Sequence, residues 1–593
     1  MKLYRKLTGF REKYVDTLAK LYDYSTTFYE NRQMSEMLGT DLKYTYGSFK
    51  HRCDELSKKL SQYGIGAGER VAILSQNTPN WTVAFFSAVA FGRVAVPILP
   101  DSSENEVTNI LEHSGCRAIY VSKKYLSKIK PELVEKLTLV IDIETFVDIS
   151  RDDDAFTCDG RTIAPQPDDL ATIIYTSGTT GSAKGVMLSH RNLCTNIVIS
   201  YHAHRADEND VWLSILPMPH TYEMSIGMLY PMFVGAKVYY LQKPPTATVL
   251  LAAMKKVRPT IMLSVPLIIE KMYKASILPT IQKSRVLKWM HRKMACVLYW
   301  FVGLRLKKTF GGRIKFFGIG GAKLNPAVEK FLKKAHFNYA IGYGMTECAP
   351  LICTAGVKQT HVGTTGGAAY GVDVKLINVN PESGEGEIVV KGTNVMLGYY
   401  RDPERTKAAF TEDGWFRTND LASVDEKGRY SIKGRLNNMI LGPSGENIYP
   451  EEIEKVINDI DGVDESLVVE RDGKLVALVQ LSNNVLDWNQ ESEDQLFEKL
   501  EARKQAIMNY VNKKVNRSSK VAGVEVVKEP FEKTATQKIR RFKYRDGAAS
   551  SNGTGSANGT GSADGSGFSS GTGSADGGDS AGAAESSDRK GEA

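Results

Sequence analysis

Short apolar runs alternate with longer amphipathic segments from about residue 40 to 345. The longer segments predict helices, among them 46–63 and 325–335, and the apolar stretch at 82–100 is explained by a buried helix that feeds a strand. The predicted strands are VAIL (71–74), AIYV (118–121), LTLVIDI (137–143), ATIIY (171–175), AKVYYL (236–241), PTIMLSV (259–265) and RIKFFGIG (313–320). Strands that alternate with helices are typical of α/β layers with a largely parallel sheet.

The pattern becomes richer in predicted strands after residue 345. Residues 346–434 carry polar turns between apolar runs, which indicates a β-rich subdomain. A smaller unit with both helices and strands follows at 435–545. We therefore predict an α/β fold with a large N-terminal domain over 1–434, which ends in the β-rich subdomain, and a small α+β C-terminal domain over 435–545.

Three elements are predicted inside the small unit. They are a helix near 450–460, a hairpin at 465–481 that turns at Asp472-Gly473, and a charged helix at 491–515. The remaining residues, 546–593, are rich in Gly, Ser, Ala and Asp and contain GTGSA three times. Such a composition cannot bury a core, so we expect this tail to be disordered and assign no chemistry to it.

Charge separates the tail from the rest of the chain. The tail has seven acidic and two basic side chains, and the whole chain has a net charge of +8, so residues 1–545 carry +13. This excess favours anionic ligands or an anionic membrane surface. No helix-turn-helix, RNP or zinc-finger pattern is present, so a nucleic acid partner is not expected.

The scattered cysteines and the N-terminal sequence indicate a cytoplasmic protein. The seven cysteines form no CxxC pair, which supports neither a zinc site nor a disulfide framework, and the N-terminus lacks the apolar run of a signal peptide.

The apolar segment 294–306 is too short to span a bilayer. Its basic flanks, within 283–308, leave two interpretations open: a packed surface helix, or a peripheral contact with the inner face of an anionic membrane.

One loop is predicted to bind phosphate. The stretch YTSGTTGSAKGVMLSH (175–190) follows a predicted strand and precedes a predicted helix. It is not a Walker A motif, because Lys184 follows Ala183 and precedes Gly185. Its glycines allow backbone N–H groups to approach an anion, its hydroxyls add donors, and Lys184 adds a positive charge.

This loop resembles the nucleotide loop of the adenylate-forming superfamily, which includes acyl-CoA synthetases, luciferases and peptide-synthetase adenylation domains. Further segments resemble the other motifs of that superfamily, in the same order: LPMPH (216–220), GIGGAKL (318–324), YGMTE (343–347), WFRTND (415–420), GRLNNMILGPSGENIYPEEIE (434–454) and KTATQKIRR (533–541). The segment at 434–454 resembles long-chain fatty acid–CoA ligases most closely. The resemblance covers about residues 40 to 545.

The resemblance implies a reaction in two steps. A carboxylate attacks the α-phosphorus of ATP to give an acyl-AMP and pyrophosphate, and the thiol of CoA then attacks the acyl carbon and releases AMP. ATP with Mg²⁺ and coenzyme A are therefore the expected nucleotide, metal and co-substrate. A medium- to long-chain fatty acid is the expected acid. In this superfamily the small C-terminal domain is mobile and turns between the two steps.

The resemblance also assigns residues. The catalytic set is Lys184, His220, Thr346, Glu347 and Lys538. The nucleotide-binding set is Thr176, Ser177, Gly178, Thr179, Thr180, Gly181, Lys184, Gly320, Gly321, Ala322, Tyr343, Gly344, Thr346, Asp420 and Arg435. Glu347 and Thr180 would hold Mg²⁺, and Gly442, Ser444 and Gly445 would line the path of the CoA arm.

Four positions depart from the pattern of the superfamily. Asn419 and Gln537 stand where glycine is usual, Asn437 stands at the hinge in place of Asp or Lys, and Lys323 replaces a frequent proline. Asparagine tolerates a positive φ, so the turn before Asp420 is expected to survive. The change at the hinge leaves the rotation that precedes thioester formation least certain.

Three other functions compete with a fatty acyl-CoA synthetase. An acyl-AMP ligase that loads a carrier protein remains open, and so does a non-catalytic nucleotide-binding protein on this fold, although the charged residues of the motifs disfavour it. An amino-acid adenylation module is disfavoured, since no carrier-domain serine motif follows. The acyl pocket is expected to use apolar stretches such as 225–236, and its specificity should be broad. The oligomeric state is not indicated.

Overall fold

The computed structural model describes residues 14–149, 160–177, 183–441, 447–482, 493–534 and 538–544. These residues belong to one compact unit, Met1–Gly547. The tail predicted to be disordered, 546–593, and the tip of the predicted phosphate loop, 178–182, lie outside the described residues.

Several of the described helices begin directly after a residue that caps the helix N-terminus. The α-helices are α1 Leu18–Phe28, α2 Tyr46–Gln62, α3 Pro79–Val89, α4 Glu104–Ser114, α5 Pro131–Lys136, α6 His190–Ala203, α7 Tyr230–Val234, α8 Ala247–Val257, α9 Pro266–Met272, α10 Leu278–Lys283, α11 Arg285–Lys293, α12 Ala295–Thr309, α13 Pro326–Lys334, α14 Pro403–Ala408, α15 Pro450–Asn458 and α16 Glu493–Asn512. Thr45 and Ser103 cap α2 and α4 with reciprocal side-chain bonds to the third residue of the helix. Short π-helices cover Glu223–Leu229 and Tyr273–Ile277.

The described strands are mostly short. They are β1 Gln33–Met37, β2 Lys43–Thr45, β3 Arg70–Leu74, β4 Val94–Ile98, β5 Ala118–Val121, β6 Leu139–Asp142, β7 Leu170–Ser177, β8 Ala183–Ser189, β9 Val211–Leu213, β10 Lys237–Tyr240, β11 Ile261–Ser264, β12 Phe316–Ile319, β13 Tyr339–Ile341, β14 Tyr343–Gly344, β15 Leu351–Thr354, β16 Gly367–Ala368, β17 Asp373–Ile377, β18 Glu385–Lys391, β19 Gly398–Tyr399, β20 Phe416–Val424, β21 Tyr430–Arg435, β22 Ile440–Leu441, β23 Asn447–Ile448, β24 Val463–Arg471, β25 Lys474–Leu481 and β26 Gly523–Val527. Each of the seven strands predicted from the apolar runs is present, and so are the helix and strand predicted within 82–100.

Two seven-stranded sheets form the large part of the molecule. One has the order β13-β12-β11-β9-β10-β1-β2 and is parallel except at β1–β2. The other has the order β19-β8-β7-β4-β3-β5-β6, with antiparallel pairing at β19–β8 and β8–β7. The prediction of α/β layers with largely parallel sheets is confirmed. The strand β8 was not predicted, and it makes the phosphate loop the connection of an antiparallel hairpin.

The β-rich part and the small C-terminal part also have the predicted character. The strands β17, β18, β20 and β21 form an antiparallel sheet. Further along the chain, β24, β25 and β26 form a sheet whose hairpin turns at Asp472-Gly473, and both of these residues have a positive φ. Apolar side chains of α15, α16 and this sheet form cores separate from those of the large part. The boundary at residue 434 stays a prediction.

Candidate active site

The pair Asp420 and Arg435 is positioned by the pairing of β20 with β21, in which the two residues lie opposite each other. The Nε atom of Arg435 lies 3.1 Å from Oδ1 of Asp420, and the hydroxyl of Tyr343 donates to Oδ2 at 2.7 Å. Burial raises the pKa of Asp420, and Arg435 opposes that rise. The three residues that the sequence predicted for adenine and ribose therefore lie in direct contact.

The turn before Asp420 survives the replacement of glycine by asparagine. Asn419 has a φ of +57°, in the left-handed region that asparagine tolerates. The backbone N–H of Asp420 donates to the hydroxyl of Thr418 at 3.1 Å, which fixes the strand on the far side of the turn. The expectation for this departure is confirmed.

On the phosphate side, Lys184 and Glu347 meet through a tyrosine. Lys184 lies on β8, and its Nζ donates to the hydroxyl of Tyr399 at 3.0 Å. That hydroxyl donates to Oε1 of Glu347 at 3.0 Å, and Nζ lies 3.7 Å from the same oxygen. The sequence reasoning missed Tyr399, because a tyrosine on the two-residue strand β19 carries no motif. Its hydroxyl orients both the lysine and the carboxylate.

Glu347 has the chemistry required of a magnesium ligand. It lies beside Thr346 in a short 3₁₀-helix, Thr346–Cys348, and both side chains are buried. In the described part of the chain no cluster of three or more His, Cys, Asp or Glu side chains could hold a metal. Mg²⁺ usually takes one or two carboxylates together with water and phosphate oxygens, so one buried carboxylate beside a phosphate site fits this ion. Thr180, the second expected ligand, lies outside the described residues.

The glycine segment predicted for adenine follows the end of β12. The N–H of Gly320 donates to the carbonyl of Ser264 at 3.1 Å, and an added Cβ there would lie 3.2 Å from the ring of Tyr222. Gly321 has a φ of +85° and is exposed, as is Ala322. A side chain at Gly344 would lie 2.0 Å from the carbonyl oxygen of Pro350. Glycine is therefore required at 344, and the backbone at 321 and 322 is exposed to a flat ligand, while Gly320 packs against Tyr222.

Lys538 lies among these groups, although it is far from them in sequence. Its carbonyl accepts the N–H of Thr534 at 2.8 Å, and its side chain keeps some access to solvent although protein atoms surround most of it. Loss of solvation and the nearby Arg435 lower the pKa of Lys538, while Asp420 and Glu347 oppose that shift. The structure thus brings the predicted lysine to the predicted nucleotide residues.

His220 is neutral at neutral pH. Burial and the charge of Lys538 lower its pKa to about 4. Its Nδ1 accepts the backbone N–H of Tyr222 at 3.2 Å, so the proton of the neutral ring is on Nε2. His220 can therefore donate one hydrogen bond, and it adds no positive charge to the site.

Polar contacts hold the small C-terminal part in this position. Arg540, two residues after Lys538, forms an ion pair at 2.8 Å with Glu106 of α4. Lys274 donates to the carbonyl of Asn458 at 2.7 Å, and Lys323 lies 3.8 Å from Glu452 of α15. The lysine that replaces the usual proline at 323 thus faces an acidic partner on the small C-terminal part.

An apolar cavity opens beside the glycine segment, and its empty space, counted together with the open solvent at its surface, is about 500 Å³. It follows β12 from Ile319 at the nucleotide end to Phe316 at the other end, where the ring of His204 stacks on Phe316 at 4.7 Å. The remaining lining residues are mostly apolar: Ser200, Ala203, Tyr222, Ile226, Tyr230, Ile261, Leu263, Gly318, Ala340, Ile341, Gly342, Leu351, Thr354 and Ala355. Of the predicted stretch 225–236, only Ile226 and Tyr230 line this cavity.

Several predicted residues lie where the structure describes nothing. They are Gly178, Thr179, Thr180, Gly181, Gly442, Ser444, Gly445 and Gln537. Thr176 is paired with Lys184 across β7 and β8, and Ser177 ends β7. The strands β22 and β23, which flank the predicted CoA loop, pair with each other. The roles of all these residues stay predictions.

The chain matches a known family and has known relatives. Residues 26–400 match the family described as AMP-binding enzyme. Long chain acyl-CoA synthetase 6, peroxisomal, of Arabidopsis thaliana is 30% identical over 487 residues, which are 74% of this chain and 69% of that protein. A chloroplastic long-chain-fatty-acid–[acyl-carrier-protein] ligase of the same plant is 27% identical over 600 residues, 84% of this chain and 81% of its own length.

The fold has solved counterparts as well. The O-succinylbenzoate coenzyme A synthetase of Bacillus subtilis, in complex with ATP and a magnesium ion, superposes with a TM-score of 0.71 at 22% sequence identity, over 88% of this chain and 98% of its own. This likeness concerns the fold alone. With the family match over most of the chain, the ordered motifs and the assembled charged residues, it follows that this chain belongs to the AMP-binding enzyme family of adenylate-forming ligases.

Proposed function

We propose that this protein converts a medium- to long-chain fatty acid to its CoA thioester, with ATP as the source of energy. The observation that carries the proposal is the position of Lys538. It lies close enough to Asp420, Arg435 and Glu347 to interact with their charges, and close enough to His220 to lower the pKa of that histidine. Two anionic substrates, the cationic side chain of Lys538 and an apolar tail could meet at this point.

In the first step, an oxygen of the fatty carboxylate attacks the α-phosphorus of ATP. The bond from that phosphorus to the bridging oxygen breaks, and pyrophosphate leaves. Both reactants are anions, so fixed positive charge is the main requirement for catalysis. Lys538 would contact the carboxylate and the α-phosphate, and Lys184 would contact the departing phosphates. Mg²⁺, held by Glu347, would supply further positive charge on the phosphate oxygens.

The other predicted residues would bind and orient the reactants. Tyr343 would stack on adenine, and Asp420 would accept hydrogen bonds from the ribose hydroxyls. Thr346 would donate to the α-phosphate. The neutral ring of His220 would donate its Nε2–H to the carboxylate, which it can do without forming an ion pair that competes with Lys538.

In the second step, the thiol of CoA attacks the acyl carbon, the acyl–phosphate bond breaks and AMP leaves. Lys538 would have to withdraw first, and the loop at 441–447 would replace it after a rotation of the small C-terminal domain. Two features support such a rotation. The contacts of that domain with the large part include exposed polar pairs such as Lys323–Glu452, and its apolar cores are its own.

The shape of the cavity supports a fatty acid as the substrate. Its walls are mostly apolar, and it follows β12 from Phe316 to Ile319, a distance of about 10 Å at the usual rise per residue. An extended medium-length acyl chain would fill this depth. A longer chain would have to displace the stacked rings of His204 and Phe316, which lie at the far end of this strand.

An acyl carrier protein is a second candidate for the thiol that accepts the acyl group. A relative of similar length is named as a ligase of this kind, and residues 1–545 carry a net charge of +13, which suits an acidic protein partner. The acid and the first step would be the same in this case. Only the identity of the thiol would differ.

We further propose a reducing, cytoplasmic setting. The described cysteines, namely Cys53, Cys116, Cys194, Cys296, Cys348 and Cys353, are free thiols. Among the described helices, none is both long enough and apolar enough to cross a membrane. Separation of soluble and membrane fractions from cells that contain the tagged protein would test the setting.

The decisive experiment measures acid-dependent release of pyrophosphate and AMP across a series of fatty acids, with and without CoA. Lys538→Ala should lower the rate by about 10²–10³ if the lysine acts as a preorganised electrostatic donor. Lys533→Ala is the matched control, because Lys533 lies in the same basic run but is paired with Glu465 at 2.8 Å.

The possible outcomes distinguish the synthetase from the carrier-protein ligase and from a non-catalytic binder. Pyrophosphate that requires an acid, with AMP turnover that requires CoA, would establish the synthetase. Acid-dependent pyrophosphate without any effect of CoA would point to the carrier protein. If ATP binds but no acid gives turnover, the protein is a non-catalytic binder and the proposal is wrong.

A further inference from the structure

The helices α11 and α12 expose an unusual number of large apolar side chains. We define the lipid face as Val286, Trp289, Met294, Val297, Trp300, Phe301 and Leu304, which are 40% to 65% exposed. In α12 the exposed residues recur at 297, 300, 301 and 304, which is the spacing of one continuous helical stripe. Contiguous apolar patches of this kind on a protein surface mark interaction sites.

The opposite side of α12 is packed, so its exposed stripe does not come from a poorly placed helix. Leu298, Tyr299 and Leu306 are buried, and the ring of Tyr299 meets that of Phe331 on α13 at 5.2 Å. Gly303 approaches the end of α13 so closely that an added Cβ would lie 2.0 Å from the carbonyl oxygen of Ala335. The alternative of an ordinary packed surface helix accounts for this buried side only.

The charge around the lipid face has one sign. Between Glu270 and Glu329 the sequence contains no acidic residue, while residues 271–309 include ten Lys or Arg. Arg285, Lys288 and Arg292 are exposed on α11, between and beside its exposed apolar residues. Aromatic and aliphatic side chains interleaved with basic ones are typical of helices that lie in the interface of an anionic bilayer.

We propose that the lipid face binds peripherally to an anionic lipid bilayer, with α12 inserted at the level of the headgroups. The position of the two helices in the chain relates this contact to the proposed function. The helices α9 to α12 connect β11 to β12, and both strands line the cavity. A bilayer held at this face would therefore be bound by the connection between two strands of the cavity proposed for the fatty acid. The inference goes beyond the proposed function, and lipid binding can be measured without any substrate.

The test is flotation of the full-length protein with vesicles at low salt. Vesicles of phosphatidylglycerol and phosphatidylcholine should carry the protein, and vesicles of phosphatidylcholine alone should carry far less. Trp300→Ser with Phe301→Ser should lower the partition coefficient at least about tenfold, since two aromatic side chains lose their apolar contact. Lys288→Glu with Arg292→Glu should lower it by about 25-fold or more, at about fivefold for each basic residue.

Matched controls lie on the C-terminal part. Phe497 of α16 is exposed and so is Lys513, which follows that helix, so Phe497→Ser and Lys513→Glu should leave binding unchanged. A second measurement uses the unmodified protein: lipids brominated on their acyl chains should quench the exposed Trp289 and Trp300 and spare the buried Trp81 and Trp212.

Three results would overturn the proposal. They are equal binding to neutral and anionic vesicles, binding that survives both double substitutions, and no quenching by brominated lipid. A concentration-dependent dimer that Trp300→Ser with Phe301→Ser abolishes, in a protein that ignores vesicles, would also overturn it, since the face would then be an interface between two copies.

Discussion

Two buried glutamates at the two ends of the site differ in how they are satisfied. Glu347, at the phosphate end, accepts a hydrogen bond from Tyr399 and lies 3.7 Å from Lys184. Glu223 lies in the π-helix that lines the acyl end, and burial raises its pKa to about 8. Its Oε2 has no hydrogen-bond partner among the described residues. One end of the site is therefore built to hold charge, and the other to exclude it.

The largest expected effect comes from removing the charge at the phosphate end. Glu347→Gln keeps the size of the side chain and its bond with Tyr399 but removes the carboxylate proposed to hold Mg²⁺. Acid-dependent pyrophosphate release, measured at saturating Mg²⁺, should fall by about 10²–10³. Glu452→Gln, on the exposed pair with Lys323, should have little effect. Nearly full activity of the Glu347 variant would show that the carboxylate at the phosphate end is not required to hold Mg²⁺.

At the acyl end, the same substitution should act on stability. The folded pKa of Glu223 is about 8 and the unfolded value is about 4.3, so between these pH values the folded state holds one more proton than the unfolded state. Stability should therefore fall as the pH rises through this window. Glu223→Gln is neutral at every pH and should remove this decline, which gives a gain on the order of a few kcal/mol near pH 8 and little below pH 4.

Denaturant unfolding of the two proteins at several pH values would measure this gain. The free energy difference between Glu223→Gln and the unmodified protein should grow steadily toward alkaline pH. A difference that is constant with pH would show that Glu223 is ionised in the folded protein. The exposed Glu452→Gln provides the baseline.

The smallest expected effect concerns which acid is preferred. His204→Ala removes one of the two stacked rings at the Phe316 end of the cavity and should let longer chains enter. The ratio of kcat/KM for a long acid to that for a medium acid should rise by about tenfold, the range that apolar pockets achieve. His51→Ala, at an exposed position of α2, should not change the ratio. An unchanged ratio for His204→Ala would place the end of the acyl chain elsewhere.

The contrast between the two ends also explains which parts of the site can be predicted from the sequence. Residues proposed to bind phosphate and ribose occur in short motifs, so the sequence alone identifies Lys184, Asp420, Arg435 and Lys538. The role of Asn419 could be predicted as well, because the left-handed backbone depends on one residue type.

The acyl end could not be predicted in the same way. Its walls come from α6, the π-helix and several strands, and apolar residues on those elements look like any other core residues. Only the pairing of distant strands shows which of them face an empty space. Tyr399 was missed for the same reason, since it reaches Glu347 across 52 residues of sequence.

The ion pair between Arg540 and Glu106 predicts how these two positions evolve. The two residues are 434 positions apart, and Arg540 is separated from Lys538 by one residue. A mutation on α4 could therefore change how the proposed catalytic lysine is presented, although α4 would contact no substrate. Among related chains we expect positions 106 and 540 to vary together, so that a reversal of charge at one is compensated at the other.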